Sequence, residues 1–414
     1  MRTKPWTFGP TLSTDEFGDL ERQYVLRVLD KRRVFRFADE EAESSEALAL
    51  EALYRERLGV AQCLALNAGT SALICALIAA GIGPGDEVIV PAYTYVATAA
   101  AVVIARAVPV IVEVDDTLTI DPRALAAAIT PYTKAVIPVH MRGVPCQMDE
   151  LMPIARSHGL RVIEDNAQAN GGSYDGRALG SIGDAGCFSF QQYKLITAGE
   201  GGMLATSDDE IHARAQAYHD CAFSYWDLNK ATRHDLLPGE NYRMSEINAA
   251  LALAQSQRLE SLVARLRRVK RSIVEGIEDL EQIQLQRIPD PSGDVSYSLV
   301  FYLPTAQEAD EFADLLTAEG IPAATMGTHA QGGIPDRHVY RNWSFVLAKR
   351  GVSDKDSPWT HPSYHGDVEY APDMCPQSLD WLGRSVSIGL HQGMAEEDCD
   401  DIVQAVHKVC ARVS

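Results

Sequence analysis

No stretch of the sequence approaches ~20 uninterrupted apolar residues, so no membrane-spanning helix is expected. The opening residues, MRTKPWTFGPTLS, lack the long apolar run of a secretory signal, which points to a soluble cytoplasmic protein. Cysteine is sparse. The eight scattered thiols include no CxxC pair, so they read as reduced and partly core-packing, not as a disulfide framework or a zinc site. His329, His338, His361 and His365 show no metal-ligand spacing, and no metal is expected. Basic residues are in deficit, 37 against 57 acidic, for a net charge of −20. That excludes a general nucleic-acid or anionic-membrane surface and leaves room for a local basic pocket for a small anion.

What is present is alternation. Residues 14–60 carry apolar positions at helical spacing, ending in Gly59. Then come short β-branched runs, DEVIVPA, AVPVIVEV, KAVIPVH, LRVIED and AGCFSF, mostly separated by helical segments. Strand–helix alternation predicts a mainly parallel sheet covered by helices on both faces. The 414 residues exceed one ordinary core, so a smaller second domain is expected. We divide the chain into an N-terminal arm (1–30), a large domain (31–255) and a small C-terminal domain (256–414), with the long helical pattern after NYRM leading from one to the other. The segment from Met326 to Pro376, rich in His, Trp, Tyr, Pro and Gly, has no assignable pattern.

In sheets of this kind ligands bind beyond the carboxyl ends of the strands. Three candidate sites fall there. In NAGTSAL (67–73), Gly69, Thr70 and Ser71 lead straight into a helical pattern. That suits a phosphate at a helix N-terminus, or plain N-capping by Thr70 or Ser71. The segment has neither GxxxxGK[ST] nor GxGxxG. In VIEDNAQANGG, Asp165 ends a buried run, a costly place for a carboxylate without a partner such as a protonated ring nitrogen; helix capping is the alternative. Gln168 follows within reach of a ring substituent. In SFQQYKLITAGEGG, Lys194 stands between Ser189 and a glycine-rich turn. It is either a solvated loop lysine or a desolvated amine, which loses basicity and can attack a carbonyl to form a Schiff base. An anion nest, a carboxylate for a pyridinium and an amine together match what pyridoxal phosphate requires.

The ordered motifs NAGTSAL, GPGDEVIVPAYTYVATAAA, TKAVIPVHMRG, VIEDNAQANGG, FSFQQYKLITAGEGG, NYRMSEINAA and CPQSLDWLGRSVSIGLHQGM cover nearly the whole chain. They make it resemble the DegT/StrS sugar aminotransferases, which are fold-type I pyridoxal-phosphate enzymes. The resemblance implies an α/β fold with a seven-stranded, mainly parallel sheet and a smaller C-terminal α/β domain. It implies Lys194 as the Schiff-base lysine and Asp165 as partner of the pyridine nitrogen. Gln168 would meet the ring hydroxyl, and Tyr95 would stack on the ring. Ser189, Gly69, Thr70 and Ser71 would hold the phosphate. Asn241 would reach it from the neighbouring subunit of a homodimer. It further implies transfer from L-glutamate or L-glutamine to a keto-sugar, cyclitol or keto-acid sugar, in aminosugar or antibiotic biosynthesis.

The chain departs from the family at Gln191, where most members have His or Asn. Gln here is similar to the amino-hydroxybenzoate synthases, and the HM of PVHM is similar to aminotransferases of eight-carbon keto-acid sugars. Both likenesses point away from a nucleotide-linked hexose. A dehydrating aromatase is therefore an alternative activity. Lys194 argues against a deoxysugar dehydratase, in which histidine replaces that lysine, and Lys194 with Asp165 argues against a non-catalytic regulator. His140 at the strand-end edge is either a ligand contact or a satisfied structural histidine. Arg337 and Trp343 are candidates for the acceptor pocket beside the C-terminal histidines. Arg36 is a candidate anion contact, or more simply a surface arginine.

Overall fold

The computed structural model describes residues 6–8, 14–37, 45–221, 237–326, 335–353 and 355–413. Two helices open it, α1 (Asp19–Lys31) and α2 (Glu46–Leu58). Ser45 caps α2 by accepting the Leu48 N–H (3.2 Å), and Gly59 closes it at φ 66°. Strands and helices then alternate: β1 (Gln62–Leu66), α3 (Gly69–Ala79), β2 (Glu87–Pro91), α4 (Ala97–Ile104), β3 (Val108–Val112), α5 (Pro122–Ala128), β4 (Thr133–Val136), α6 (Met148–Ser157) and β5 (Arg161–Asp165). A short hairpin, β6 (Ser173–Tyr174) and β7 (Arg177–Ala178), precedes β8 (Ala185–Ser189), β9 (Gly202–Thr206) and α7 (Asp209–His219).

These strands build a seven-stranded sheet in the order β1-β9-β8-β5-β4-β2-β3. The ladders from β3 through β8 are parallel, and β9 runs against both of its neighbours. The sheet is covered on both faces, which is why β2, β8 and β9 are buried at every position. Alternation sorts the side chains: Leu64, Leu66, Val88 and Val90 face one core, while Cys63, Ala65 and Ile89 face the other.

The long helical pattern breaks at Gln257 and Arg258 into α8 (Glu246–Ser256) and α9 (Leu259–Glu275). On α9, Leu259, Leu262 and Leu266 sit in the core of the large sheet, and Val269 and Ile273 sit in the core of the small one. Burying each leucine contributes about 1.5–3 kcal/mol, so one helix ties both layers together. The small sheet is antiparallel, in the order β10 (Gln284–Leu285), β11 (Ser298–Tyr302), β13 (Ser385–Gly389), β12 (Ala323–Thr325). It is backed by α10 (Ala306–Ala318) and α13 (Glu396–Val413). Trp6 and Phe8 from the N-terminus pack on this small core.

The stretch that has no pattern in the sequence contains α11 (Ser344–Leu347), and α12 (Pro376–Gly383) follows it. It packs on the large sheet: Val339, Tyr340, Trp343 and Val346 are fully buried there. Thr94 N–H donates to the His338 carbonyl (2.9 Å) and Tyr340 N–H to that of Ala92 (3.0 Å). That anchors the stretch just past the carboxyl end of β2.

Candidate active site

The sheet order brings the ends of β5 and β8 side by side, with β4 and β2 next in line. Asp165 is the last residue of β5 and is 4% exposed. Its Oδ1 accepts from Ala167 N–H (3.0 Å) and its Oδ2 from the Thr98 hydroxyl (2.9 Å) on α4. The Ala167 bond is a turn contact; no helix starts there, so the capping alternative does not hold. Burial pushes the carboxyl above the ordinary aspartate range, against the pull of these two donors and Lys194. Each oxygen accepts one bond and keeps capacity for a cation.

Lys194 lies five residues past β8, and its N–H closes a turn on the Gln191 carbonyl (2.9 Å). Its side chain lines a cavity of about 760 Å³ together with Gln168, Arg142, Tyr93 and Tyr297. The amine has no hydrogen-bond partner among the described residues. Burial lowers its basicity below the ordinary lysine value, and attraction to Asp165 opposes that shift.

The α3 helix starts at Gly69 with Ala68 as N-cap, no side-chain cap and no acidic residue in its first turn. Thr70 and Ser71 therefore lie inside the first turn and are not its caps. The Ser71 hydroxyl donates to Asn67 Oδ1 (2.7 Å). The open N–H groups and dipole of this turn face the end of β8. A Cβ on Gly69 would lie 2.7 Å from Ser189 Cβ, and one on Gly202 would lie 2.3 Å from the Ala68 carbonyl oxygen. Only glycine allows that approach, which leaves a cradle of backbone donors beside the Ser189 hydroxyl.

Gln168 Oε1 accepts from Tyr297 OH (2.8 Å) and Arg142 N–H (3.1 Å), so its amide NH₂ is the end offered to a ligand. A desolvated amine, a buried carboxylate with spare acceptor capacity, an uncapped helix start and a free amide donor suit the amine-reactive aldehyde, ring nitrogen, phosphate and ring hydroxyl of pyridoxal phosphate.

His140 is structural. Its Nδ1 accepts from Cys146 N–H (3.0 Å), which places the proton on Nε2, 3.1 Å from Glu164. Glu164 is fully buried and also accepts from the amides of Gly180, Ile182 and Gly183. Arg36 is not a surface residue. It is 4% exposed, donates to the Ala65 carbonyl (2.8 Å) and pairs with Glu51 (2.7 Å).

Of the acceptor-pocket candidates, His338 lines the cavity. Trp343 is core, Arg337 is exposed, and neither His361 nor His365 lines the cavity; His329 lies outside the described residues. Tyr95 is 45% exposed and packs against His338 with ring centroids 5.3 Å apart. Asn241 is exposed, and its carbonyl accepts from Asn67 Nδ2 (3.4 Å). All eight cysteines are free, and only Cys221 is exposed. Sequence reasoning missed Thr98, Tyr297 and Arg142, each held to the site by a bond across 26 to 129 residues. No helix among the described residues is long and apolar enough to cross a membrane.

Residues 30–350 match the DegT/DnrJ/EryC1/StrS aminotransferase family. The chain is 43% identical over 250 residues to GDP-perosamine synthase of Caulobacter vibrioides, covering 60% of this chain and 65% of that protein, just under two thirds of the relative. It is 41% identical over 286 residues to UDP-N-acetyl-3-dehydro-alpha-D-glucosamine 3-aminotransferase of Acidithiobacillus ferrooxidans, covering 68% and 74%. The X-ray structure of an aminotransferase from Psychrobacter cryohalolentis superposes with a TM-score of 0.80 at 28% identity, covering 99% of each chain. Matches of this extent show membership: the chain is a fold-type I, pyridoxal-phosphate-dependent aminotransferase of the DegT/DnrJ/EryC1/StrS family.

Proposed function

We propose that this chain moves the amino group of L-glutamate or L-glutamine to a keto or aldehyde carbon of a sugar. The observation that carries the reading is Lys194, a desolvated amine on the wall of a cavity of about 760 Å³, held in the field of the Asp165 carboxylate. Pyridoxal phosphate, when bound, supplies an aldehyde for that amine and an electron-withdrawing ring. Asp165 would favour the protonated ring nitrogen. Gln168 would donate to the ring hydroxyl, and Tyr95 would stack on the ring. Gly69, Thr70, Ser71 and Ser189 would hold the phosphate, and Asn241 of a second copy would complete that cradle. With its amine free, Lys194 Nζ would be the group that holds and moves the proton between the donor's Cα and the acceptor side.

Two relatives are named for nucleotide-linked sugars, which supports a sugar acceptor and places a nucleotide-linked keto-sugar beside a keto-acid sugar in any screen. In the test, L-glutamate bleaches the yellow band of the loaded protein, and the true acceptor restores it. Lys194→Ala abolishes turnover. Full turnover in that variant, or a band indifferent to every amino acid, refutes the reading.

A further inference from the structure

Arg142 has no role in the reading above, yet it is built into the cavity wall at a cost. It is a non-glycine residue at φ 55° and ψ 23°, in the left-handed region, inside the short turn Met141–Gly143. That turn is wedged in place: a Cβ on Gly143 would lie 2.8 Å from Val295 Cβ, and Val295 N–H donates to the Gly143 carbonyl (3.1 Å). The strained backbone does two things at once. It aims the Arg142 N–H at Gln168 Oε1 (3.1 Å) and turns the side chain along the cavity.

The guanidinium is gripped at one end only. Its Nε donates to Tyr93 OH (3.0 Å), and Tyr93 is itself fixed by donating to Met326 Sδ (3.1 Å). The two terminal NH₂ groups have no acceptor among the described residues, and they are not sealed in the protein either. Asp336 is near enough to act on the charge but makes no ion pair with it; its Oδ1 is taken by the His338 N–H (2.9 Å) and Nδ1 (2.8 Å). Arg142 and Lys194 are the only Lys or Arg among the described residues lining the cavity. A half-buried fork of donors without a counter-ion is an unfinished ion pair, and the planar shape it fits is a carboxylate.

We propose that Arg142 binds a substrate carboxylate through its two terminal NH₂ groups and so selects acidic substrates. The carboxylate belongs either to the amino-acid donor or to a keto-acid sugar acceptor. The proposal rests on the reading that substrates enter this cavity, but its test does not depend on turnover. Calorimetric titration of the cofactor-loaded protein with succinate, an unreactive dicarboxylate, and with the neutral succinamide reads the site directly. Wild type binds succinate in preference to succinamide. Arg142→Gln weakens succinate binding about 10- to 100-fold at unchanged cofactor loading, and Arg142→Lys loses less. Should Arg142→Gln not fold, Tyr93→Phe, which frees Nε and leaves the charge, weakens succinate binding several-fold. Equal succinate affinity in wild type and variant, or no preference for succinate in wild type, overturns the proposal. The rate at which L-glutamate bleaches the band then separates the sources. Loss of that rate in Arg142→Gln assigns the carboxylate to the donor; an unchanged rate with succinate binding lost assigns it to the acceptor. A wild-type band indifferent to L-glutamate would count against the aminotransferase reading, while the succinate titration still decides Arg142.

Discussion

Asp165 is held against its own preference. Water would stabilise the carboxylate better than two hydrogen bonds do, so burial raises its pKa above the ordinary value of 3.8. The unfolded chain releases this proton at lower pH than the native one. Between the ordinary carboxylate range and the raised value the native state binds more protons, and stability falls as pH rises through that window. Above it the loss is complete and constant. Asp165→Asn removes the titration and keeps side-chain hydrogen-bonding groups for Ala167 and Thr98. We predict that the cofactor-free variant melts at higher temperature than cofactor-free wild type at neutral pH, with the difference shrinking as pH falls from the raised value down to the ordinary aspartate range. With cofactor bound the order reverses, because a protonated ring nitrogen gives the carboxylate the cation it lacks. Thermal unfolding with and without cofactor, across pH, checks both parts. A difference that ignores pH would show that Asp165 is not the strained charge described here.

At the scale of elements, the cradle depends on how closely the start of α3 approaches the end of β8. Gly69→Ala puts a Cβ 2.7 Å from Ser189 Cβ and 3.3 Å from the Phe188 carbonyl oxygen. Neither is the far end of a flexible side chain, so helix and strand must part. Overpacking of this kind costs about 1–3 kcal/mol, and much of it falls on the cradle, for a loss of about tenfold or more in cofactor affinity by spectral titration. Gly83→Ala, with nothing within 4 Å of the new Cβ, serves as the control and binds cofactor normally. The glycine at the helix start was legible in the sequence because turn chemistry and apolar periodicity are local. So were Asp165 and Lys194, each a polar residue interrupting or ending an apolar run. Arg142 was not. Its neighbour Gly143 leaves no room for a Cβ beside Val295 and Tyr297, and its anchor Tyr93 lies 49 residues away. The stretch from 335 to 343 was opaque for the same reason: its bonds to Ala92 and Thr94 are long-range, and no local periodicity encodes them.

At the scale of the whole molecule, one chain leaves apolar surface unspent. Phe17, Leu26, Leu29, Val34 and Phe35 are each 40–50% exposed, on or beside α1. Singly they would need no explanation, but five in one N-terminal stretch are apolar surface that association would bury. Asn241 is exposed as well, and the second copy is where its amide would find an anion. A twofold pair built on this surface would be self-complementary, each copy giving and receiving the same contacts. We predict a dimer by sedimentation and a shared site by complementation. Lys194→Ala is inactive, and Asn241→Ala loses about tenfold in cofactor affinity through one charge-assisted hydrogen bond. Co-expressed in one cell, the two form mixed dimers in which the only intact lysine faces the only intact asparagine. At limiting cofactor such a preparation turns over faster than the Asn241→Ala protein alone at equal active lysine. A mixed preparation that merely averages its parents would place Asn241 outside the neighbouring site and leave each copy to bind its cofactor alone.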